Sequence, residues 1–451
     1  MRYFLDPYGC VKNQVDAETM MFILDKSGWL SVADPSEADL IIINSCGFIE
    51  SAKRESLDAV FSFRGAYPDK KILLAGCLAQ RYAAELAGDL PEADMIFGNG
   101  DLSLIAEAAE KAMAGPGEPL VPSIDTSGLR DFACFTGERN LLSLPGSAYV
   151  KITEGCDNRC SFCAIPNIRG PLRSRPIAAV TDECRTLLDR GIRELCIIGQ
   201  DLGSYGIDGA AGAFEPGTCR LPELLNTISG LEGRFWVRLL YIHPDNFPLP
   251  ILDICRRDPR ILPYFDIPFQ HASEPVLKAM NRRGSAPKYL ELIGTIRQAL
   301  PGAVVRSTFM TGFPGETEED FRQLLDFQEK ARLDWLGVFA YSREEDTPAF
   351  GMKPAVAKCV AENRKQQIED RQIPITEAQM DRFVGKTLDI LVEEAVTNED
   401  GLYLGRTAAQ APEVDGATVI NADGVLTPGT FIRGRVFSRS GFDLDAAYIH
   451  E

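Results

Sequence analysis

The sequence predicts an α/β protein of three units: an N-terminal α/β domain (residues 1–115), a central partial (β/α) barrel (142–374) and a small C-terminal antiparallel β-barrel (376–451). Three observations predict this. A chain of 451 residues exceeds what one hydrophobic core serves. Most of it alternates short apolar runs with helix-length intervals, the signature of a parallel sheet with crossover helices. After Phe383 the rhythm changes to short alternating segments punctuated by Gly and Asp.

In the first unit the apolar runs Leu40–Asn44 and Lys71–Ala75 flank the amphipathic stretch Ala52–Phe63. Gly115, Pro116, Gly117 and Pro119 break the pattern, and the chain up to about Pro145 shows no period, as a linker would. Strand-like segments then recur at Ala148–Ile152, Glu194–Ile198, Trp236–Leu240, Tyr264–Ile267, Val304–Phe309 and Leu336–Phe339, each interval long enough for a helix. The C-terminal strands are expected at Thr387–Val392, Leu402–Arg406, Ala417–Ile420 and Thr430–Phe437.

At 45% hydrophobic and 25% charged, the composition is that of an ordinary soluble protein. No run approaches the roughly 18 apolar residues of a membrane span, and the start MRYFLDPYGC lacks a signal peptide's character. The expectation is a cytoplasmic protein. A net charge of −18 repels polyanions and disfavours general nucleic-acid binding, although a local basic groove is compatible with it. Twelve cysteines in a reducing compartment point to metal ligation or catalysis rather than disulfides.

The sharpest motif is Glu154-Gly-Cys156-Asp-Asn-Arg-Cys160-Ser-Phe-Cys163, three thiols in eight positions directly after a strand. Thiolates are soft ligands for zinc or iron–sulfur clusters, and closed sites use four. Three cysteines on a four-iron cluster leave one iron open to the amine and carboxylate of S-adenosylmethionine, whose reductive cleavage starts radical chemistry. The competing reading, a zinc knuckle with a distant fourth ligand, has only His243, His271 and His450 to draw on and no neighbouring thiol pair. A second set is dispersed. Cys10, Cys46 and Cys77 each follow a predicted strand, so a parallel sheet brings them to its carboxyl edge, where ligands collect. They are either three buried apolar cysteines or a second three-thiol cluster site, and the adjoining Gly9, Gly47 and Gly76 favour close approach of a bulky ligand. Cys134, Cys184, Cys196, Cys219, Cys255 and Cys359 have no such partners and read as packing residues or solvent-tolerant thiols.

Over nearly its whole length the chain resembles the radical S-adenosylmethionine methylthiotransferases, and within them the RimO type that modifies a ribosomal protein. The resemblance rests on Gly9-Cys-Val-Lys-Asn-Gln-Val-Asp-Ala-Glu18, Asn44-Ser-Cys-Gly-Phe-Ile-Glu-Ser-Ala-Lys53, Gly76-Cys-Leu-Ala-Gln-Arg-Tyr82, Lys151 through Arg175, Asp266-Ile-Pro-Phe-Gln-His-Ala-Ser273, Gly312-Phe-Pro-Gly-Glu-Thr-Glu-Glu-Asp320 and Phe339-Ala-Tyr-Ser-Arg-Glu-Glu-Asp-Thr-Pro348. Gly405 through Gly416 is similar to the family's terminal TRAM barrel. The resemblance implies two [4Fe-4S] clusters, the radical one on Cys156, Cys160 and Cys163 and an auxiliary one on Cys10, Cys46 and Cys77. It also implies S-adenosylmethionine as both methyl and radical source. The product would be a methylthio group on the β-carbon of an aspartate in the decoding-centre protein of the small ribosomal subunit. An electron donor and a sulfur source are implied as partners. Ser45 before Cys46 departs from the family's commoner threonine but keeps the hydroxyl.

Other motifs carry two readings each. Gly312 and Gly315 either bring backbone amides to S-adenosylmethionine or make the turn before a capping box of Thr317 and Asp320. Gln200 and Asp201 follow a strand and either touch the cofactor ribose or simply build a turn. His271 is a structural hydrogen-bonder or an active-site group, and Arg169, Arg173 and Arg175 steady an anion or form a solvated face. The rival branch of the family modifies tRNA. Residues 377–451 hold 13 acidic against 6 basic residues, a net of −7, where a tRNA-gripping barrel should be basic. A basic ribosomal protein, bound partly through this acidic barrel, is the expected partner. Outside this family altogether, a non-enzymatic iron–sulfur scaffold would need no S-adenosylmethionine pocket.

Overall fold

The computed structural model describes residues 1–115, 117–124, 135–209 and 217–450; Pro116, Cys134 and Glu451 lie outside the described residues. In the N-terminal unit, β1 (Arg2–Pro7), β2 (Leu30–Ser31), β3 (Leu40–Ser45), β4 (Lys71–Gly76) and β5 (Met95–Gly98) form a parallel sheet in the order β2-β1-β3-β4-β5. The β-branched run Ile41-Ile42-Ile43 is fully buried because helices cover both faces. Each such side chain contributes about 1.5–3 kcal/mol relative to exposure.

The central unit is an open six-stranded parallel sheet. It comprises β6 (Ser147–Lys151), β9 (Glu194–Ile198), β10 (Trp236–Leu239), β11 (Ile261–Asp266), β12 (Val304–Thr311) and β13 (Trp335–Ala340). A short ribbon of β7 (Thr153–Glu154) and β8 (Arg173–Ser174) flanks it. The terminal unit closes as a barrel of β14 (Thr387–Ala395), β15 (Leu402–Thr407), β16 (Thr418–Asn421), β18 (Asp443–Tyr448) and β17 (Phe431–Ser440). It departs from the expected purely antiparallel barrel: β16 and β18 pair in parallel, because β17 carries the chain across the barrel between them. Asp443–Tyr448 was not anticipated as a strand, its Asp-Leu-Asp-Ala-Ala run offering little β-propensity.

Side-chain alternation along the central strands explains how the units join. Val150, Leu195, Ile197, Val237, Leu239 and Phe265 face the crossover helices, forming the main core. Their neighbours Tyr149, Cys196, Trp236, Tyr264 and Trp335 face the other way, into a cluster shared with Val15, Met20 and Leu24 of the N-terminal unit and Ile390, Tyr403 and Ala411 of the barrel. The inner face of the open sheet is thus filled by its two companions. The segment joining β15 to β16 is fastened there: Trp335 Nε1 donates to the Ala409 carbonyl at 2.8 Å, and Tyr264 Oη to Asp415 Oδ2 at 2.6 Å. Glu194 Oε2 accepts from Arg406 at 2.6 Å and Glu194 Oε1 from Arg238 at 2.7 Å. A helix, Lys358–Met380, runs unbroken across the boundary expected at residues 374–376, with Pro374 inside it. A proline there forfeits a helical hydrogen bond. Flanking tertiary bonds hold the helix regardless: Gln372 Nε2 donates to the Leu333 carbonyl and Thr376 Oγ1 to the Asp334 carbonyl, both at 2.9 Å.

Candidate active site

Because β1, β3 and β4 are neighbours, their carboxyl ends deliver Cys10, Cys46 and Cys77 to one edge. Cys10 caps the N-terminus of helix α1 (Val11–Lys26), and Cys77 opens the short helix Cys77–Arg81. The glycines are required by approach distance. A Cβ on Gly9 (φ +91°) would lie 2.7 Å from the Cys46 Cβ, and one on Gly47 would lie 2.7 Å from the Cys77 carbonyl oxygen. Cys77 Sγ accepts from Arg169 Nη2 at 3.2 Å and from Asn99 Nδ2 at 3.4 Å. Burial pushes the Cys46 thiol up to about 11 and the Cys77 thiol up to about 12.

Cys156, Cys160 and Cys163 sit on a loop held from several sides. Gly155 (φ +71°) admits no side chain, since a Cβ would fall 2.0 Å from the Pro171 carbonyl oxygen. Cys156 N donates to the Gly170 carbonyl at 3.2 Å, Ser161 N to the Met280 carbonyl at 3.0 Å, and Asn281 Nδ2 to the Arg159 carbonyl at 3.0 Å. Asn158, between the first two cysteines, donates to Asp201 Oδ2 at 2.8 Å. Burial raises Cys156 and Cys163 to about 12, with neighbouring thiols adding to the effect.

Among the described residues no three His, Cys, Asp or Glu side chains converge tightly enough for a single metal ion. Two sets of three soft thiols, one on a single loop and one at the carboxyl edge of a sheet, are the donor type and number that an iron–sulfur cluster with one iron lacking a protein ligand would use. The sets share a wall. Ala164 and Ile168, just after Cys163, pack on Cys77, and Arg169 from the same short helix reaches the Cys77 sulfur. Arg169 is also ion-paired at 2.8 Å with both Asp16 and Glu154. Lys151 pairs with the same two carboxylates. Burial would raise Glu154, but Arg169 and Lys151 outweigh it and hold this carboxyl below the usual range. A buried ladder of charge therefore spans the junction between the two thiol sets.

The other expected contacts fall out differently. Gly312 N donates to Glu316 Oε2 at 2.6 Å and Gly315 N to the Pro354 carbonyl at 2.8 Å, so the amides expected to face S-adenosylmethionine are committed within the protein. Gly312 is needed for packing, its Cβ position lying 2.2 Å from Ala361, and the Thr317–Asp320 capping box forms. Asp201 is saturated by Gly203 N, Ser204 Oγ, His243 N, Asn158 and Asn246, and it ties the cysteine loop to the ends of β9 and β10 rather than facing a ligand. Gln200 does present a free atom: its Nε2 leans toward Glu154 at 3.4 Å, while its buried Oε1 has no protein partner among the described residues. His271 Nδ1 accepts from Ser273 N at 3.0 Å, burial pushes the ring down to about 3, and its buried Nε2 has no hydrogen-bond partner among the described residues. Arg169, Arg173 and Arg175 are all buried, which removes the solvated-face reading. Of the unassigned cysteines, Cys184, Cys196 and Cys255 are buried in the packing and Cys359 is exposed.

Sequence reading missed Lys12, Asp16 and Glu154. The available signal was α1 itself, which buries Lys12, Asn13, Asp16, Glu18 and Thr19 and so shows no apolar stripe.

Comparison with known proteins agrees with this division of the chain. Residues 2–98 match the Uncharacterized protein family UPF0004, residues 150–327 the Radical SAM superfamily and residues 384–449 the TRAM domain. The ribosomal protein uS12 methylthiotransferase RimO of Treponema denticola is 47% identical over 99% of this chain and 100% of its own. The chain belongs to the RimO methylthiotransferase family. The RimO of Anaeromyxobacter sp. is 39% identical, covering 98% of this chain and 92% of its own. Among solved structures, the radical S-adenosylmethionine methyltransferase TsrM of Kitasatospora setae shares the fold, at a TM-score of 0.55 and 14% identity over 77% of this chain and 76% of its own. As in other RimO family members, the chain is a radical S-adenosylmethionine methylthiotransferase with iron–sulfur cofactors. Among the described residues, no helix is long and apolar enough to cross a membrane.

Proposed function

We propose that this enzyme methylthiolates the β-carbon of an aspartate in ribosomal protein uS12, with Cys156, Cys160 and Cys163 holding a radical [4Fe-4S] cluster and Cys10, Cys46 and Cys77 an auxiliary one. The observation that carries this reading is the shared wall between the thiol sets, where Cys77 touches both Arg169 and the helix after Cys163. Held on Cys156, Cys160 and Cys163, the first cluster would supply the electron for reductive C–S cleavage of S-adenosylmethionine, and held on Cys10, Cys46 and Cys77 the second would carry the sulfur to be transferred.

The chain's own residues fix geometry and exclude water. Asp201 and Asn158 hold the first loop, Gly9 and Gly47 let the second set close up, and Lys151, Arg169, Asp16 and Glu154 neutralise one another between them. Gln200 Oε1 is the protein acceptor we assign to S-adenosylmethionine. Asp201 supports from behind, and Gly312 and Gly315 shape the adjoining turn. The catalytic unit comprises residues 1–115 and 142–374. The acidic barrel, 376–451, attracts the basic substrate and disfavours tRNA. An electron donor and a sulfur source complete the reaction, in the cytoplasm where ribosomes assemble.

The test is mass spectrometry of ribosomal proteins from cells with and without this chain, with tRNA nucleosides measured in parallel. Loss of a methylthio mass gain from uS12 alone supports the reading; loss from tRNA adenosine instead refutes it.

A further inference from the structure

Around the auxiliary thiols one cation is left over. Lys12, two residues after Cys10, is 8% exposed. Among the described residues no carboxylate lies within ion-pair distance of its Nζ and no hydrogen bond is made to it; its close contact is the ring of Tyr241, 2.9 Å from Nζ to the centroid. The neighbouring charges are already committed. Asp16 and Glu154 each bridge Lys151 and Arg169, and Asp266 accepts from Arg306 at 3.1 Å. The opposite charge it does face is that of the Cys10 sulfur, which the reading above commits to a cluster, so a buried ammonium that donates no hydrogen bond here keeps its donors for a further anion.

The position of Lys12 says which anion. It stands on the first turn of α1, beside Cys10, whose own residue is exposed. The opposite wall is Tyr241, at the carboxyl end of β10 in the left-handed backbone region (φ +71°), the kind of strained residue that gathers at functional sites. Lys12 and Tyr241 therefore meet where the auxiliary thiol set adjoins the inner edge of the radical core. A substrate methylthiolated at an aspartate β-carbon carries its carboxylate one bond from the reacting atom. Wherever the carbon meets the sulfur, the carboxylate lies within a few ångströms.

We propose that Lys12 Nζ, backed by the Tyr241 ring, is the anchor for the carboxylate of the target aspartate, and so the residue that selects aspartate over its neutral isostere. This rests on the functional reading above and names the group that gives it side-chain specificity. A charge-assisted hydrogen bond of this kind, with its partner left buried when it is missing, is worth about tenfold or more in affinity.

The experiment uses the anaerobic holoenzyme and a labelled peptide of about 20 residues spanning the target loop of uS12, with aspartate or asparagine at the target position. Fluorescence anisotropy gives the four dissociation constants of unaltered enzyme and Lys12→Met, with Lys12→Gln measured alongside and iron content checked in each. The expected result is that the unaltered enzyme binds the aspartate peptide about tenfold or more tightly than the asparagine peptide, and that both variants lose this preference while holding the asparagine peptide as before. Equal binding of the two peptides by the unaltered enzyme overturns the proposal, even if both variants fail to assemble clusters. So does a preference that survives in either variant. The functional reading fails by a different result: no methylthio mass gain on the aspartate peptide after turnover with S-adenosylmethionine, a reductant and a sulfur source.

Discussion

Asp415 offers a direct measure of how the terminal barrel is seated. It lies on the segment between β15 and β16, accepts from Tyr264 Oη at 2.6 Å and Ala411 N at 2.8 Å, and faces Arg306 Nε at 3.4 Å, too far and too poorly aligned for a hydrogen bond. Arg306 also serves Asp266. Burial therefore wins over the shared guanidinium, and the Asp415 carboxyl is pushed up to about 6. Glu194 shows the opposite balance: with Arg406 and Arg238 both bonded to it, burial is outweighed and its carboxyl falls to about 2. A carboxyl raised from 3.8 to about 6 favours the folded state when protonated, so its cost appears as pH rises and reaches about 3 kcal/mol above the folded value. About half of that develops between pH 5 and 7.5. Asp415→Asn removes the titration. The expected outcome is that the unaltered protein loses about 1–2 kcal/mol relative to Asp415→Asn between pH 5 and 7.5. Urea unfolding followed by Trp335 fluorescence measures it, because Trp335 is bonded to Ala409 on the same segment. A stability difference that is flat with pH, or one in which the unaltered protein gains as pH rises, would refute the reasoning and show that the Arg306 pairing dominates.

The remaining predictions concern the clusters. Replacing Cys156, Cys160 and Cys163 together by alanine should leave about half the reconstituted iron, and replacing Cys10, Cys46 and Cys77 the other half, read by iron analysis; loss of all iron from either triple variant contradicts two independent sites. Gly9→Ala, at φ +91° against Cys46, should cost about 1–2 kcal/mol in backbone strain alone and selectively deplete the auxiliary cluster, seen as halved iron with intact S-adenosylmethionine cleavage. Arg169→Met strips Asp16 and Glu154 of a shared buried partner and should destabilise by about 3–5 kcal/mol in denaturant titration. A stability loss under 1 kcal/mol would mean that Lys151 alone suffices.

Much of this was legible in the sequence because it is local. Cys156, Cys160 and Cys163 lie on one loop, and Cys10, Cys46 and Cys77 follow strands marked by short apolar runs, so strand order alone gathers them. The strand Glu194–Ile198 was readable to the residue, whereas Tyr264–Ile267 begins earlier, at Ile261, because Pro263 masks its start. What the sequence hid is relational. Gly312 and Gly315 read equally as donors and as turn formers until Glu316 and Pro354 are seen to take their amides. Asp201 reads as a ribose contact or as a turn former, and the five protein donors around it are visible only in the fold.

The same logic explains why the domain boundary near residue 375 is hard to see and why it matters. A surface hinge would expose polar residues on both sides, but here Tyr264, Trp335 and Arg238 on the inner face of the core are satisfied by Asp415, Ala409 and Ala408 from the barrel. α1 of the N-terminal unit fills the rest of that face with Val15, Met20 and Leu24 while presenting Lys12 to Tyr241 and Asp16 to Lys151 and Arg169. One helix thus both packs the interior and delivers the charged groups that separate the two thiol sets. A shift of α1 by a single residue would turn Asp16 about 100° from Lys151 and Arg169, burying its carboxylate without a partner and leaving the two cations to share Glu154. The register of α1 against the core is therefore fixed by electrostatics as much as by its apolar residues, and the spacing between the thiol sets is fixed with it.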